Sequence, residues 1–100
     1  EHCFNIARSY YPELQRNFYY TLAIHMGATY ERIVQGKVIL NPHLDRIKAN
    51  YLNEFKVASV LAEVINTELE IKLPEGEVGF IAMYIKTFLE KRPEKPAKVG

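Results

Sequence analysis

The sequence predicts an all-α fold, a bundle of about five helices joined by short loops. Two observations carry this prediction. Apolar residues recur at the spacing of an α-helix along most of the chain, and prolines stand where helices are expected to begin or end, with Pro74 as the clearest example. The β-like segment "KVIL" at 37–40 is too short to demand a sheet and is expected to be a connector. Short loops favour antiparallel neighbours in such a bundle.

The first third of the chain is expected to form two helices. A short helix is predicted over residues 1–10, where apolar residues have helical spacing. A longer helix is predicted from about Pro12, which suits the first helical position, to Gln35, because Gly36 offers a C-terminal stop. The apolar face of this second helix is a narrow stripe made of Leu14, Phe18, Leu22, Met26, Thr29 and Ile33.

Two further helices are expected in the middle of the chain. The segment 41–50 predicts a short helix with Asn41 as N-cap and Pro42 at the first position. A fourth helix is predicted from about Asn53 to Glu70, and its main stripe is Phe55, Ala58, Leu61, Ala62, Ile65 and Leu69. Val57, Val60 and Val64 widen this stripe well beyond one face. A helix with so broad an apolar surface packs on two sides, and we expect a homodimer.

A fifth helix is predicted from Pro74 to about Lys91, where Pro93 stops it. Glu75 and Glu77 place negative charge at the positive end of its dipole. Its apolar stripe consists of Val78, Ile81, Ala82, Ile85, Phe88 and Leu89. Tyr84 falls at the margin of this stripe, where an apolar ring with a polar tip can reach water.

Composition bounds the functions that this chain can have. Its 100 residues suit one domain, which we place at 1–92, with 93–100 as a linker or an added tail. The formal charge of +1 gives no reason to expect direct binding of nucleic acid or membrane. The one cysteine, Cys3, excludes an internal disulfide framework and fits a reducing compartment such as the cytoplasm. No segment has the length of a membrane span.

The residues best placed for chemistry are His25 and Arg32. His25 lies at the edge of the second helix's apolar stripe, and Arg32, seven residues later, falls within about 20° of the same line along the helix. A neutral imidazole can attack a phosphoryl group, and an arginine can neutralise the phosphoryl oxygens. The alternative is a histidine at the margin of the core that only hydrogen-bonds a neighbour. His43 and His2, at a helix start and at the chain end, are weaker candidates.

Other kinds of site are not indicated. Cysteine and histidine spacing does not suggest zinc, and "VQGKVIL" lacks the spacing of a phosphate-binding loop. We identify no Ser/His/Asp arrangement, and the acidic pairs at helix ends are interpreted as dipole charges rather than as catalytic carboxylates. The chain is therefore expected not to be an enzyme, and neither a metal nor a cofactor is predicted.

One known family matches these features in order. From about Tyr20 to Leu89 the chain resembles the PTS regulation domain, or PRD. The marks of the family are an early histidine in a long helix, an arginine seven residues later, an "NP" helix start and an "LP-x-x-E-x-G-[FY]-[IL]-A-x-H" helix. Here they are His25, Arg32, Asn41-Pro42, Leu73-Pro74, Glu77, Gly79, Phe80, Ile81 and Ala82.

The resemblance implies a five-helix bundle, commonly dimeric, that regulates bacterial transcription. In the family, histidines accept phosphoryl groups from the sugar phosphotransferase system, either from HPr or from an Enzyme II component, and phosphorylation changes how domains pair. His25 matches the first of these histidines, and Arg32 is expected to support the phosphate. The position of the family's second histidine is held by Tyr84, which leaves His25 as the one matched acceptor.

The form "GFIAMYI" looks most like domains of the levanase-operon type of sigma-54-dependent activator. In those proteins a DNA-binding domain and an ATPase precede the PRD, so this chain would be the sensor part of a longer protein. Two other hypotheses remain open from the sequence. One is a helical dimerisation module that has lost phosphorylation. The other is a helix-turn-helix nucleic-acid binder, against which the low net charge counts.

Overall fold

The computed structural model describes residues 2–37 and 39–90, and within these ranges the regular structure is entirely helical. The all-α, five-helix prediction is confirmed. The helices are α1 (His2–Tyr10), α2 (Arg16–Val34), α3 (Leu44–Asn50), α4 (Leu52–Leu69) and α5 (Glu75–Glu90). The predicted tail at 93–100 and the end of α5 near Lys91 lie outside the described residues.

The core forms where α5 packs along α4. Helix α1 covers another side of α4, while α2 and α3 pack on α5, and α3 also contacts α4. The stripes predicted for α4 and α5 supply the centre of the core, since the side chains of Ala58, Leu61, Ile81, Ala82 and Ile85 are fully enclosed. The ring of Phe18 on α2 meets that of Phe88 on α5 edge to face, with 6.0 Å between centroids. The α2–α5 contact therefore has an apolar base.

The start of α2 differs from the prediction. The helix begins at Arg16, not at Pro12, and Leu14 is buried in the turn that precedes it. The N–H of Leu14 bonds the carbonyl of Tyr11, and Arg8 donates to the carbonyl of Pro12. These bonds and the burial of Leu14 hold residues 11–15 as a turn between α1 and α2 instead of as the start of a helix.

The start of α3 also comes later than expected. The helix begins at Leu44 with His43 at the N-cap position and no side-chain capping bond, so the predicted cap at Asn41 and helix start at Pro42 are wrong. Asn41 and Pro42 belong to the turn before the helix, where Oδ1 of Asn41 accepts the N–H of His43 at 3.0 Å. The amide of the same side chain donates to the carbonyl oxygen of Gly76 at 3.1 Å, so Asn41 holds the turn before α3 against the first turns of α5.

The broad apolar surface of α4 is used largely within the chain. Val57 is buried and Val64 is half-buried, whereas Val60 stays 38% exposed. Three neighbouring helices, α1, α3 and α5, account for most of this surface. The valines of α4 consequently give weaker support for a dimer than the sequence suggested.

Helices α3 and α5 approach each other closely at Gly79. A methyl group placed there would lie 2.8 Å from Nδ2 of Asn41 and 3.0 Å from Cδ1 of Leu44. Only a residue without Cβ lets Asn41 keep its bond to Gly76. The glycine of the "EGEVGF" segment is thus a packing requirement rather than a point of flexibility.

Replacing Gly79 by alanine should lower the free energy of unfolding by about 1–3 kcal/mol, because either Asn41 or Leu44 must move. Gly27, which also lies inside a helix but has open space around it, is the matched control. Gly27→Ala should raise stability by about 0.5–1 kcal/mol through higher helix propensity. Urea unfolding at one low protein concentration measures both changes. Equal effects of the two substitutions would contradict the close approach.

Candidate functional site

The contact between α2 and α5 brings together the residues that the sequence singled out. His25 and Arg32 come from α2, and Tyr84 comes from α5. Between them lies Glu77, in the first turn of α5 and 2% exposed. The site is thus a polar cluster at the edge of an otherwise apolar helix contact.

Both ring nitrogens of His25 have partners. Nε2 lies 2.9 Å from Oε1 of Glu77, and Nδ1 lies 3.2 Å from the hydroxyl oxygen of Tyr84. The rings of Tyr84 and Phe80 flank the imidazole, with centroids 5.2 and 5.8 Å from its own. The side chain of His25 remains 18% exposed. The imidazole is therefore held in one orientation while one part of it still faces solvent.

Glu77 is the hub of the cluster. Its Oε1 also accepts the Thr29 hydroxyl at 3.3 Å, and its Oε2 lies 3.6 Å from Nη2 of Arg32. The same nitrogen of Arg32 donates to Oγ1 of Thr29 at 3.1 Å. These bonds satisfy a carboxylate whose side chain is only 3% exposed, as a buried charge requires.

The environment of Glu77 favours its charged form. Burial by itself raises the pKa of the carboxyl, but the hydrogen bond and charge of His25, the charge of Arg32 and the hydroxyl of Thr29 outweigh burial. The net effect is a pKa below the ordinary value of 4.5. At neutral pH the α2–α5 contact therefore encloses an ionised carboxylate.

The structure bears out the geometry expected for three sequence candidates. His25 and Arg32 do face the same side of α2, and Tyr84 is half-buried at the margin of α5, where its hydroxyl meets His25. Thr29 was assigned to the apolar stripe, and it is fully buried, but its hydroxyl joins the polar cluster. Both ring nitrogens of His25 have hydrogen-bond partners, which the sequence did not predict.

Sequence reasoning missed the central residue. Glu77 was interpreted as a charge on the helix dipole, yet it is buried and paired with α2. Its spacing contained the signal: Glu77 precedes Ile81 by four residues and Tyr84 by seven, so all three share a face of α5. An acid on the apolar face of a helix needs a cationic partner opposite. His25 and Arg32, which the sequence had singled out on α2, are those partners.

Other groups offer no competing chemistry in residues 2–37 and 39–90. His2 and His43 are exposed and lie away from the cluster. Burial, with a smaller contribution from Glu68, raises the pKa of the Cys3 thiol to about 11, so that thiol is unreactive. Within these ranges we find neither a cluster of three metal-binding side chains nor a helix that is long and apolar enough to cross a membrane.

Comparison with known proteins identifies the family of this chain. The sequence profile of the PRD domain family matches residues 3–88 of this chain. The chain belongs to the PRD family. The family expectation drawn from His25, Arg32 and the "LP-x-x-E" helix is thus confirmed.

The relatives of this PRD are antiterminators. Protein GlcT of Staphylococcus saprophyticus is 37% identical over 70 residues, which are 70% of this chain and 25% of that protein. The PtsGHI operon antiterminator of Bacillus subtilis is 38% identical over 63 residues, 63% of this chain and 22% of that protein. The GlcA/glcB genes antiterminator of Staphylococcus carnosus is 39% identical over 64 residues, which are 64% of this chain and 22% of that protein. The chain spans about a quarter of the length of these relatives.

These relatives do not support the levanase-operon type of sigma-54-dependent activator, nor an ATPase domain in the parent protein. In this chain the glycine and the apolar residues of the "GFIAMYI" segment serve the packing of α5, since Gly79 lies against Asn41 and Leu44 and Ile81, Ala82 and Ile85 are fully buried. The segment identifies the domain and not the type of protein that carries it.

A solved structure agrees with the fold. The crystal structure of GlcT CAT-PRDI superimposes with a TM-score of 0.82 at 28% identity, covering 88% of this chain and 53% of that one. The likeness therefore covers most of the chain and supports the five-helix fold.

Acid should lower the free energy of unfolding of this PRD, because Glu77 becomes protonated. Since the pKa of Glu77 is lowered in the folded chain, its ionised form stabilises the fold fully above about pH 4.5, and this stabilisation is lost as the pH falls through the lowered value. At neutral pH, Glu77→Gln should lower the free energy of unfolding by roughly 1–3 kcal/mol. The difference between wild type and variant should shrink on acidification, as followed by urea unfolding from pH 7 to 3.

Glu75→Gln is the control, because Glu75 lies in the same turn but is exposed and pairs with Lys48. It should change stability little and leave the acid response as in wild type. A Glu77→Gln protein that loses stability with acid as steeply as wild type would show that the buried carboxylate is not responsible.

Proposed function

We propose that this PRD regulates a bacterial transcription antiterminator by accepting a phosphoryl group on His25 from the sugar phosphotransferase system, either from HPr or from an Enzyme II component. The names of its relatives support the antiterminator context. The parent protein would act in the cytoplasm and carry an RNA-directed effector outside this chain. The PRD itself would be the sensor and not an enzyme.

The observation that carries this proposal is the pairing of a partly exposed histidine with a buried carboxylate. His25 is 18% exposed, so a donor can reach it, whereas Glu77 is 3% exposed and cannot leave the helix contact without cost. A phosphoryl group adds nearly two negative charges. Placed on His25, these charges come close to a carboxylate whose stability depends on that same imidazole. Phosphorylation would therefore act directly on the α2–α5 contact.

Arg32 is suited to receive part of this charge. Its guanidinium holds Thr29 and Glu77, yet 27% of the side chain is exposed. Because a guanidinium has five donors in a planar fork, it can bind a phosphoryl oxygen without releasing every bond it makes now. Arg32 would then change from a partner of Glu77 to a shared partner of Glu77 and the phosphate.

Phosphorylation would be transmitted through a homodimer. The outward face of α2 carries exposed apolar side chains: Ile24 is 76% exposed, Val34 is 64%, and Tyr20, whose ring lies 5.5 Å from that of Tyr19, is 56%. His25 points away from this face, towards α5, so new charge on His25 would reach the interface through the orientation of α2 and not by direct contact. This surface is a better candidate for the dimer interface than the valines of α4, which are mostly covered.

The alternative function is a helical dimerisation module that has lost phosphorylation. The engagement of both His25 nitrogens and the presence of Tyr84 at the second-histidine position favour it. In that case the polar cluster would serve only to orient α2 on α5.

Phosphotransfer separates these two functions. Incubation with phosphoenolpyruvate, Enzyme I, HPr and an Enzyme II component should add one acid-labile phosphoryl group, seen by intact-mass spectrometry at neutral pH. His25→Ala should abolish labelling, and Arg32→Ala should slow it by about tenfold, a loss typical of one charge-assisted contact. His43→Ala is the matched control and should label normally. Labelling that persists in His25→Ala would refute the assignment, and absence of labelling in wild type would favour the alternative.

The dimer is tested by sedimentation. The wild-type domain should sediment as a dimer at micromolar concentration, and Ile24→Glu should make it monomeric, because a charge at the centre of an apolar interface is costly. Val60→Glu, an equally large change at an exposed valine of α4, should leave the dimer intact. Dissociation by Val60→Glu alone would place the interface on α4 instead.

A further inference from the structure

The hydrogen bonds around His25 distinguish its two nitrogens. An ionised carboxylate can only accept hydrogen bonds, so Nε2, which faces Oε1 of Glu77 at 2.9 Å, carries the proton. In a neutral imidazole the lone pair is then on Nδ1. The hydroxyl of Tyr84, 3.2 Å away, donates to that lone pair. The two sides of the ring are thus chemically different before any phosphoryl donor arrives.

We propose that Glu77 is a positioning residue that holds His25 as the Nε2–H tautomer, which makes Nδ1 the nitrogen that accepts a phosphoryl group, and that the Tyr84 hydroxyl covers this nitrogen until transfer. The identity of the biological donor rests on the proposed function. The choice of nitrogen rests on the geometry of the cluster alone.

The transfer balances without a base. The Nδ1 lone pair forms the new P–N bond; with a phosphohistidine donor the electron pair of the broken P–N bond stays on the donor's imidazole, and with phosphoramidate it leaves with ammonia. His25 keeps its proton on Nε2, so its ring becomes a cation. That positive charge develops next to the carboxylate of Glu77, which is already ionised and already bonded to the same N–H. Glu77 therefore stabilises the product as well as the reactive tautomer, in the way that an acid behind a histidine does in hydrolases.

Attack from the other nitrogen meets two obstacles. Nε2 would have to lose its proton and its bond to Glu77, and the transferred phosphoryl group would then stand against a buried carboxylate of like charge. On the Nδ1 side only the Tyr84 hydroxyl has to turn away. Tyr84 can do so because it is half-buried and its other contact with His25 is ring to ring at 5.2 Å.

The tautomer can be read in the isolated domain without any donor. Long-range proton–nitrogen NMR of a sample labelled with ¹⁵N-histidine, at a pH where the ring is neutral, should show a protonated Nε2 and an unprotonated Nδ1 for His25. The His25→Ala spectrum assigns the signal against those of His2 and His43. A protonated Nδ1 would overturn the proposal whether or not phosphorylation occurs.

The reactive nitrogen is tested with phosphoramidate, a small phosphoryl donor, and with the phosphotransferase proteins. Phosphorus–nitrogen couplings should place the group on Nδ1 of His25 in both cases, and a group on Nε2 would overturn the proposal. Failure of the protein donors alone, with phosphoramidate still modifying Nδ1, would remove the proposed function and leave the role of Glu77 standing. Failure of His25 to react with either donor would overturn the assignment of Nδ1 as an accepting nitrogen.

Two variants add a readout that a purely structural role would not change. Tyr84→Phe should keep the tautomer and speed modification of Nδ1 by about two- to tenfold, because it uncovers the lone pair. Glu77→Gln should slow it by about tenfold or more and allow product on Nε2, since an amide can donate to the ring as well as accept. Glu75→Gln should match wild type. If Glu77→Gln does not fold, the two wild-type measurements still decide the question.

Discussion

One buried carboxylate, that of Glu77, determines how α2 packs on α5. Glu77 is charged, nearly inaccessible to water and satisfied only by groups that α2 provides. A charge in such a place is tolerated only while its partners stay where they are. The position of α2 on α5 is therefore fixed by hydrogen bonds in addition to the apolar contact of Phe18 with Phe88. The imidazole of His25, the proposed phosphoryl acceptor, is part of the same set of bonds that holds the helices together.

This arrangement would link the proposed regulation of the domain to its stability. A histidine on an exposed loop would gain a phosphoryl group without consequence for the fold. Here His25 supplies the hydrogen bond to Oε1 of Glu77, and Arg32 supplies much of the remaining charge compensation. Any change in the charge of the imidazole alters the free energy of the helix contact. A modest difference, on the order of a few kcal/mol, is enough to exchange the populations of two packings.

The sequence predicted the number, type and order of the helices, because long amphipathic segments with clear stops are the strongest signal that a single chain offers. It failed at the start of α2, where burial of Leu14 in a turn overrode a continuous helical pattern. It identified His25, Arg32 and Tyr84, whose places at stripe margins follow from helix geometry. It could not identify Glu77 as the hub, since the relative rotation of α2 and α5 is set by tertiary contacts that periodicity does not encode.

The two bonds of Asn41 have a mechanical consequence. Its side chain ties the connection between α2 and α3 to the carbonyl of Gly76, the residue directly before Glu77. The first turn of α5 is thus held by two side chains. His25 of α2 bonds Glu77, and Asn41, in the turn before α3, bonds the carbonyl of Gly76. Because Gly76 and Glu77 are neighbours, a movement of Glu77 would disturb the bond of Asn41 to Gly76 and with it the turn before α3. A change at the imidazole of His25 could in this way reach α3, which does not carry any of the residues of the polar cluster described here.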